Sequence, residues 1–98
     1  MGDLELEGMP TYGTDAAGAD TYVEVLAAPA GNRRYTSVRL WCATKDAIVS
    51  LDGGTTDHVF LVAGVPIQLE GVGPITGAIQ AKNAVSGQNY ATLYAMAW

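Results

Sequence analysis

The sequence predicts a small all-β domain, and three observations carry that expectation. From residue 21 onward, short runs of β-branched and aromatic residues alternate with tight turn signals. No stretch of ten or more residues shows a sustained 3.6-residue apolar period, so no long helix is expected. Finally, a chain of 98 residues supports one core at most.

Seven strands are expected, at residues 21–28 (TYVEVLAA), 33–43 (RRYTSVRLWCA), 47–52 (AIVSLD), 57–63 (DHVFLVA), 66–71 (PIQLEG), 74–83 (PITGAIQAKN) and 89–98 (NYATLYAMAW). Their connectors are short, and most hold a Pro or Gly. About seven strands in 78 residues fit an antiparallel sandwich, a jelly-roll-like fold or a small barrel. Pattern alone leaves these three open.

Strand faces follow from alternation. Ile75, Ile79 and Ala81 share one face, with Thr76, Gln80 and Lys82 on the other, as in a half-buried strand. Val38, Leu40 and Cys42 oppose Tyr35, Arg39 and Trp41. In the last strand Tyr90, Thr92, Tyr94, Met96 and Trp98 oppose Ala91, Leu93, Ala95 and Ala97, so neither side is made for water. Two readings stay open for that aromatic row: it fills the core while the alanines admit a close neighbour, or part of it forms a subunit interface, where Tyr, Trp, Met and Arg are enriched.

Charge divides the chain. Residues 1–20 carry Asp3, Glu5, Glu7, Asp15 and Asp20 with no Lys or Arg, whereas residues 21–98 carry five acids and five bases. The net charge of −5 therefore belongs to the first twenty residues. These read as an extended acidic N-terminal arm, with 21–98 as a single β domain. Leu4 and Leu6 alternate with Glu5 and Glu7, a pattern suited to a short strand against a partner. A body of near-zero charge favours association and lacks the basic excess that nucleic-acid binding requires. No apolar run approaches the roughly 18 residues of a membrane span, and the first residues are acidic where an export signal is basic.

Chemistry is sparse. One cysteine, Cys42, excludes an intrachain disulfide and a cysteine-based zinc cluster. It lies in an apolar strand away from bases that would activate it, so it is expected to be a buried small hydrophobe. The stretch SLDGGTTDHV (50–59) gathers Asp52, Asp57 and the only histidine, His58, around Gly53-Gly54. Neighbouring strand residues point to opposite faces, so Asp57 and His58 make a poor catalytic pair. The acids do not match a calcium loop, and the better reading is a hairpin turn whose glycines take positive φ. The glycines at 71, 73 and 77 precede a proline and β-branched residues, which does not suit a nucleotide-binding loop. No catalytic, cofactor or metal residues are therefore expected. Asp52, Asp57 and His58 are candidate exposed loop contacts, and Leu4, Leu6, Tyr12, Tyr35, Arg39, Trp41, Tyr94, Met96 and Trp98 are candidate interface residues.

The strand ending in SLDGG, the strand feeding AGVPIQLEGV, the IQAKNAVSGQNYATLY hairpin and the aromatic C-terminal strand together resemble the small all-β structural proteins of tailed bacteriophages, of the head decoration or cement type. The resemblance covers roughly residues 46–98. It implies a non-enzymatic virion protein, made in the host cytoplasm, that binds the major capsid protein at the capsid surface, often as a homotrimer, with an N-terminal segment lying along neighbouring subunits. A tail, baseplate or fibre component would share composition and fold. A carbohydrate- or peptide-binding sandwich, with Trp41, Tyr35 or Tyr22 as a stacking platform, is the alternative from another class.

Overall fold

The computed structural model describes residues 10–98. These hold eight strands and no helix: β1 (Thr11–Asp15), β2 (Val23–Leu26), β3 (Val38–Cys42), β4 (Ala47–Ser50), β5 (Val59–Leu61), β6 (Ile67–Leu69), β7 (Ile79–Asn83) and β8 (Leu93–Ala97). They form two antiparallel four-stranded sheets, ordered β1-β8-β3-β6 and β2-β7-β4-β5. The sheets stay separate, so the barrel alternative does not hold.

Pairing is nested. Strand β4 pairs with β5, β3 with β6, β2 with β7 and β1 with β8, all antiparallel. The chain thus runs as one long double ribbon whose tip is the 51–58 loop. Rolling that ribbon brings β8 beside β3 and β7 beside β4, and divides it into two sheets. Glycines 53 and 54 sit at the tip with φ of 81° and 94°, the left-handed values anticipated for a turn that closes the ribbon.

The core follows the alternation. Val38, Leu40 and Cys42 of β3 and Leu93, Ala95 and Ala97 of β8 face Ala47 and Val49 of β4, Ile79 and Ala81 of β7 and Leu61 of β5. Small residues on several strands let the sheets approach closely, so Leu40, Leu61, Ile79 and Leu93 interdigitate without exposed area. Each such aliphatic side chain contributes about 1.5–3 kcal/mol by leaving water.

Three departures from the sequence expectation have local causes. Residues 11–15, assigned by charge to the arm, form strand β1 along the edge of β8. This strand is short of apolar residues, and its Gly13 is needed because a Cβ there would lie 2.1 Å from the Val25 carbonyl oxygen. Residues 74–83 do not make one strand: Ile75 bridges Tyr35, and β7 begins only at Ile79. In the last strand, Ala91 adopts φ of 69° and the Thr92 N–H donates to the Tyr90 carbonyl at 2.8 Å. That tight turn breaks the alternation, so Tyr90 is buried while Tyr94, of the same parity, is exposed.

Tyr90 also ties β1 down. Its hydroxyl donates to Asp15 Oδ2 at 2.7 Å, and burial is the first cause of its raised pKa. The same Asp15 oxygen accepts the Gly18 N–H at 2.9 Å. Farther along, Asp20 accepts from Asn83 Nδ2, Ser86 Oγ and the Gly87 N–H at 2.9–3.0 Å. The segment after β1 is therefore fastened to the loop between β7 and β8.

Candidate functional site

The 50–58 loop is occupied with its own geometry. Asp52 Oδ1 accepts from Ser50 Oγ at 2.6 Å and from the Thr55 and Thr56 N–H groups at 3.1 and 3.0 Å. The Ser50 hydroxyl contact, then the other donors, hold the Asp52 carboxyl well below the usual range. Ser50 Oγ also accepts the Gly54 N–H at 3.0 Å, and His58 Nδ1 accepts the Leu51 N–H at 3.0 Å. His58 thus spends one ring nitrogen on the backbone of its own hairpin.

Asp57 turns elsewhere. It accepts the Tyr22 hydroxyl and pairs with Lys82 Nζ at 3.5 Å, while Lys82 Nζ lies 4.7 Å from the centre of the Tyr22 ring. The Tyr22 hydrogen bond is the first cause of the lowered Asp57 pKa. His58 and Asp57 therefore have different partners. All three polar candidates, Asp52, Asp57 and His58, are exposed, which leaves them able to touch a neighbour. Among the described residues, no three His, Cys, Asp or Glu side chains converge as a metal site.

Cys42 is fully buried on β3. Its thiol points at the carbonyls of Lys45, 3.3 Å away, and Leu61, 3.7 Å away. Burial pushes the thiol up to about 11, with the nearby Asp46 charge adding to the shift. A thiol so held is a core filler rather than a nucleophile.

The outer face of the first sheet gathers most of the interface candidates. Register sets them in two cross-strand rows. Tyr12, Met96, Arg39 and Gln68 lie across β1, β8, β3 and β6, and Thr14, Tyr94 and Trp41 lie beside them on β1, β8 and β3. Tyr12 is 71% exposed and Tyr94 52%, and Trp41 and Met96 are half-buried. Together with Gly13 and Ala95, Tyr12, Arg39, Trp41, Tyr94 and Met96 line an apolar groove of ≈ 270 Å³. Arg39 Nη1 donates to Gln68 Oε1 at 3.3 Å, and Gln68 Nε2 donates to Glu70 Oε2 at 2.7 Å, which makes a polar border along β6.

The other candidates fall elsewhere. Tyr35 is 8% exposed and packs in the core beside Ile75, so it does not belong to this face. Its parity with Arg39 fails because the chain from 35 to 37 is not a continuation of β3. Trp98 is half-buried, and its main chain is held between Thr36 and Ser37: the Trp98 carbonyl accepts both N–H groups at 2.8 and 3.0 Å. Of the aromatic row, then, Tyr94 and Met96 point outward and the smaller Leu93, Ala95 and Ala97 fill the core, the reverse of the core-filling reading. Leu4 and Leu6 lie outside the described residues.

Two features escaped the sequence. The Tyr22–Asp57–Lys82 cluster joins residues far apart in the chain, and no local spacing signals it. Phe60 on β5 and Val62 just after it are exposed at the edge of the second sheet. The uninterrupted apolar run in DHVFLVA was their only sign.

No helix among the described residues is long and apolar enough to cross a membrane. No family model, curated protein or solved structure matches this chain.

Proposed function

We propose that this protein is a non-enzymatic structural component of a virion that decorates or cements a capsid surface, as a homo-oligomer contacting the major capsid protein. The observation that carries the reading is the outer face of the first sheet: Tyr12, Arg39, Trp41, Tyr94 and Met96 form an apolar, aromatic groove with a polar border. These residue types dominate the energetics of protein interfaces, and a face of this kind on a small rigid body suits docking more than turnover. Strand order supports a jelly roll within this reading. Nested pairing of β1 with β8, β2 with β7, β3 with β6 and β4 with β5, rolled into two four-stranded sheets, fits the eight-stranded double-sheet arrangement of that fold. Capsid proteins use this fold, and so do lectins, so the site rather than the fold decides between them.

The test is cosedimentation of the purified chain with tailed-phage capsids, alongside Trp41→Ala and Tyr94→Ala. Binding by the native chain, weakened at least tenfold in both variants, supports the reading. No binding to heads, with binding to isolated tails, would move it to a tail or baseplate component.

One observation favours a second reading. The Trp41 and Tyr94 rings sit 5.5 Å apart beside Arg39 and Gln68, which is the combination of aromatic platform and hydrogen-bonding border that a sugar ring requires. A glycan array read at millimolar sensitivity separates it from the first: saturable binding there, without particle binding, would replace capsid decoration by carbohydrate recognition.

A further inference from the structure

The outward side chains of β1, β8 and β3 stand in two rows, and the groove between them has a definite shape. Tyr12, Met96 and Arg39 are cross-strand neighbours in one row, and Tyr94 and Trp41 in the other. The inward-facing Gly13, Ala95 and Leu40 lie in register between the rows and give the groove a floor of backbone. The slot therefore runs across the strands. Rows two residues apart on a strand are separated by about 7 Å, which leaves room for one flat group once the thickness of the walls is taken off. From β1 to β3 the slot spans two strand spacings, about 10 Å. At ≈ 270 Å³ it is smaller than the roughly 300–1,000 Å³ of sites that enclose a whole small ligand, so it suits one side chain of a larger partner.

Both walls favour an aromatic ring. Trp41 and Tyr94 offer rings 5.5 Å apart on one side. On the other, the Met96 thioether and the Arg39 guanidinium are groups that pack well against aromatic rings. Arg39, exposed and the one charged residue that lines the slot, adds a second requirement. Its Nη1 donates to Gln68 Oε1 at 3.3 Å, and Gln68 Nε2 donates to Glu70 Oε2 at 2.7 Å, so Gln68 stands between Arg39 and this chain's own acid. Among the described residues no carboxylate comes within 4 Å of Arg39, and its Nη2 and Nε have no acceptor. A carboxylate is the group that matches paired guanidinium donors.

We infer that the slot takes an aromatic side chain of a protein partner with a carboxylate beside it, the ring between Met96 and Tyr94 over β8 and the acid on Arg39 at the β6 end. This rests on the docking role proposed above and gives it a partner chemistry, an exposed aromatic residue next to an aspartate or glutamate.

The test uses the full chain in heteronuclear NMR titrations, with phenylpropionate as the probe and phenylpropionamide as its uncharged counterpart. The Trp41 indole N–H reports on the slot, and that of Trp98, which does not line it, serves as the reference. The expected result is a saturable shift at Trp41 and not at Trp98, with the carboxylate at least roughly threefold tighter than the amide, and with that preference lost in Arg39→Gln and reduced at high salt. Equal binding of the two probes, or no shift at Trp41, would overturn the inference. So would tighter binding of a methyl glucoside than of phenylpropionate, in favour of carbohydrate. Capsid cosedimentation of the same samples separates the slot chemistry from the docking role. Equal capsid binding by the native chain and Arg39→Gln overturns the paired acid and leaves the docking role standing. A native chain that ignores capsids while preferring the carboxylate overturns the capsid reading and leaves the slot chemistry standing.

Discussion

Trp41 on β3 and Tyr94 on β8 are cross-strand partners whose ring centroids lie 5.5 Å apart at an interplanar angle of 33°, on the side of the first sheet that faces away from the core. An aromatic pair of this kind is worth about 0.5–1.5 kcal/mol beyond the area it covers. A double-mutant cycle of Trp41→Ala and Tyr94→Ala, read by urea unfolding, should return a coupling in that range. A coupling of zero would mean that the two rings do not form one surface.

Gly13 is where β1 meets β2. Gly13→Ala puts a methyl group 2.1 Å from the Val25 carbonyl oxygen, and backbone on both sides limits the escape. The expected cost is about 1–3 kcal/mol, as for other overpacked sites. Thermal denaturation should show a clear fall in midpoint, whereas Gly31→Ala, with open space around it, is strained only by its φ of 62°.

Ala91 occupies the left-handed region at φ of 69°, a conformation that costs a non-glycine residue about 1–2 kcal/mol. Replacing Ala by Gly inside a strand ordinarily destabilises by about 0.5–1 kcal/mol. At this position the relief of strain outweighs the added chain entropy, so Ala91→Gly should leave stability unchanged or raise it by up to about 1 kcal/mol. A loss as large as that of a control Ala→Gly change at Ala95 would show that the turn is not held as described.

Three aspartates set the acid limit. Asp20 is lowered chiefly by the Gly87 N–H, Asp52 by the Ser50 hydroxyl and Asp57 by the Tyr22 hydroxyl. A carboxylate lowered on folding contributes stability above its unfolded value, near 3.8, and loses that contribution as pH falls through the folded value. Stability should therefore hold steady from pH 7 to about 5 and decline below about 4. Urea midpoints at pH 5 and pH 2.5 check this, and Asp52→Asn should flatten part of the decline. A midpoint that rises on acidification would contradict the hydrogen-bond assignments.

Legibility in the sequence followed how local each cause was. The faces of β3 and β7 could be read directly, because Val38, Leu40 and Cys42, and Ile79 and Ala81, alternate without interruption and all are buried. The Gly53-Gly54 turn was legible for the same reason. Strand β1 was not, because TYGTD contains little that marks a strand, and its pairing depends on β8 some eighty residues later. Tyr94 and Met96 were ambiguous for a physical reason. The opposite face of β8 is mostly alanine, and only the close approach of the second sheet turns those alanines into core. Tyr35 and Tyr90 were misaligned with their neighbours by local geometry, a break in the strand before Ser37 and the left-handed Ala91, which alternation cannot register.

The docking role proposed for the Trp41 and Tyr94 face is tested most directly by the copy number of this protein on purified capsids. Cosedimentation should give saturable binding in fixed proportion to the major capsid protein, reduced at least tenfold by Trp41→Ala while the variant still unfolds in a single cooperative transition. A native chain that stays in the supernatant at every concentration, or a Trp41→Ala variant that binds as the native chain does, would contradict it.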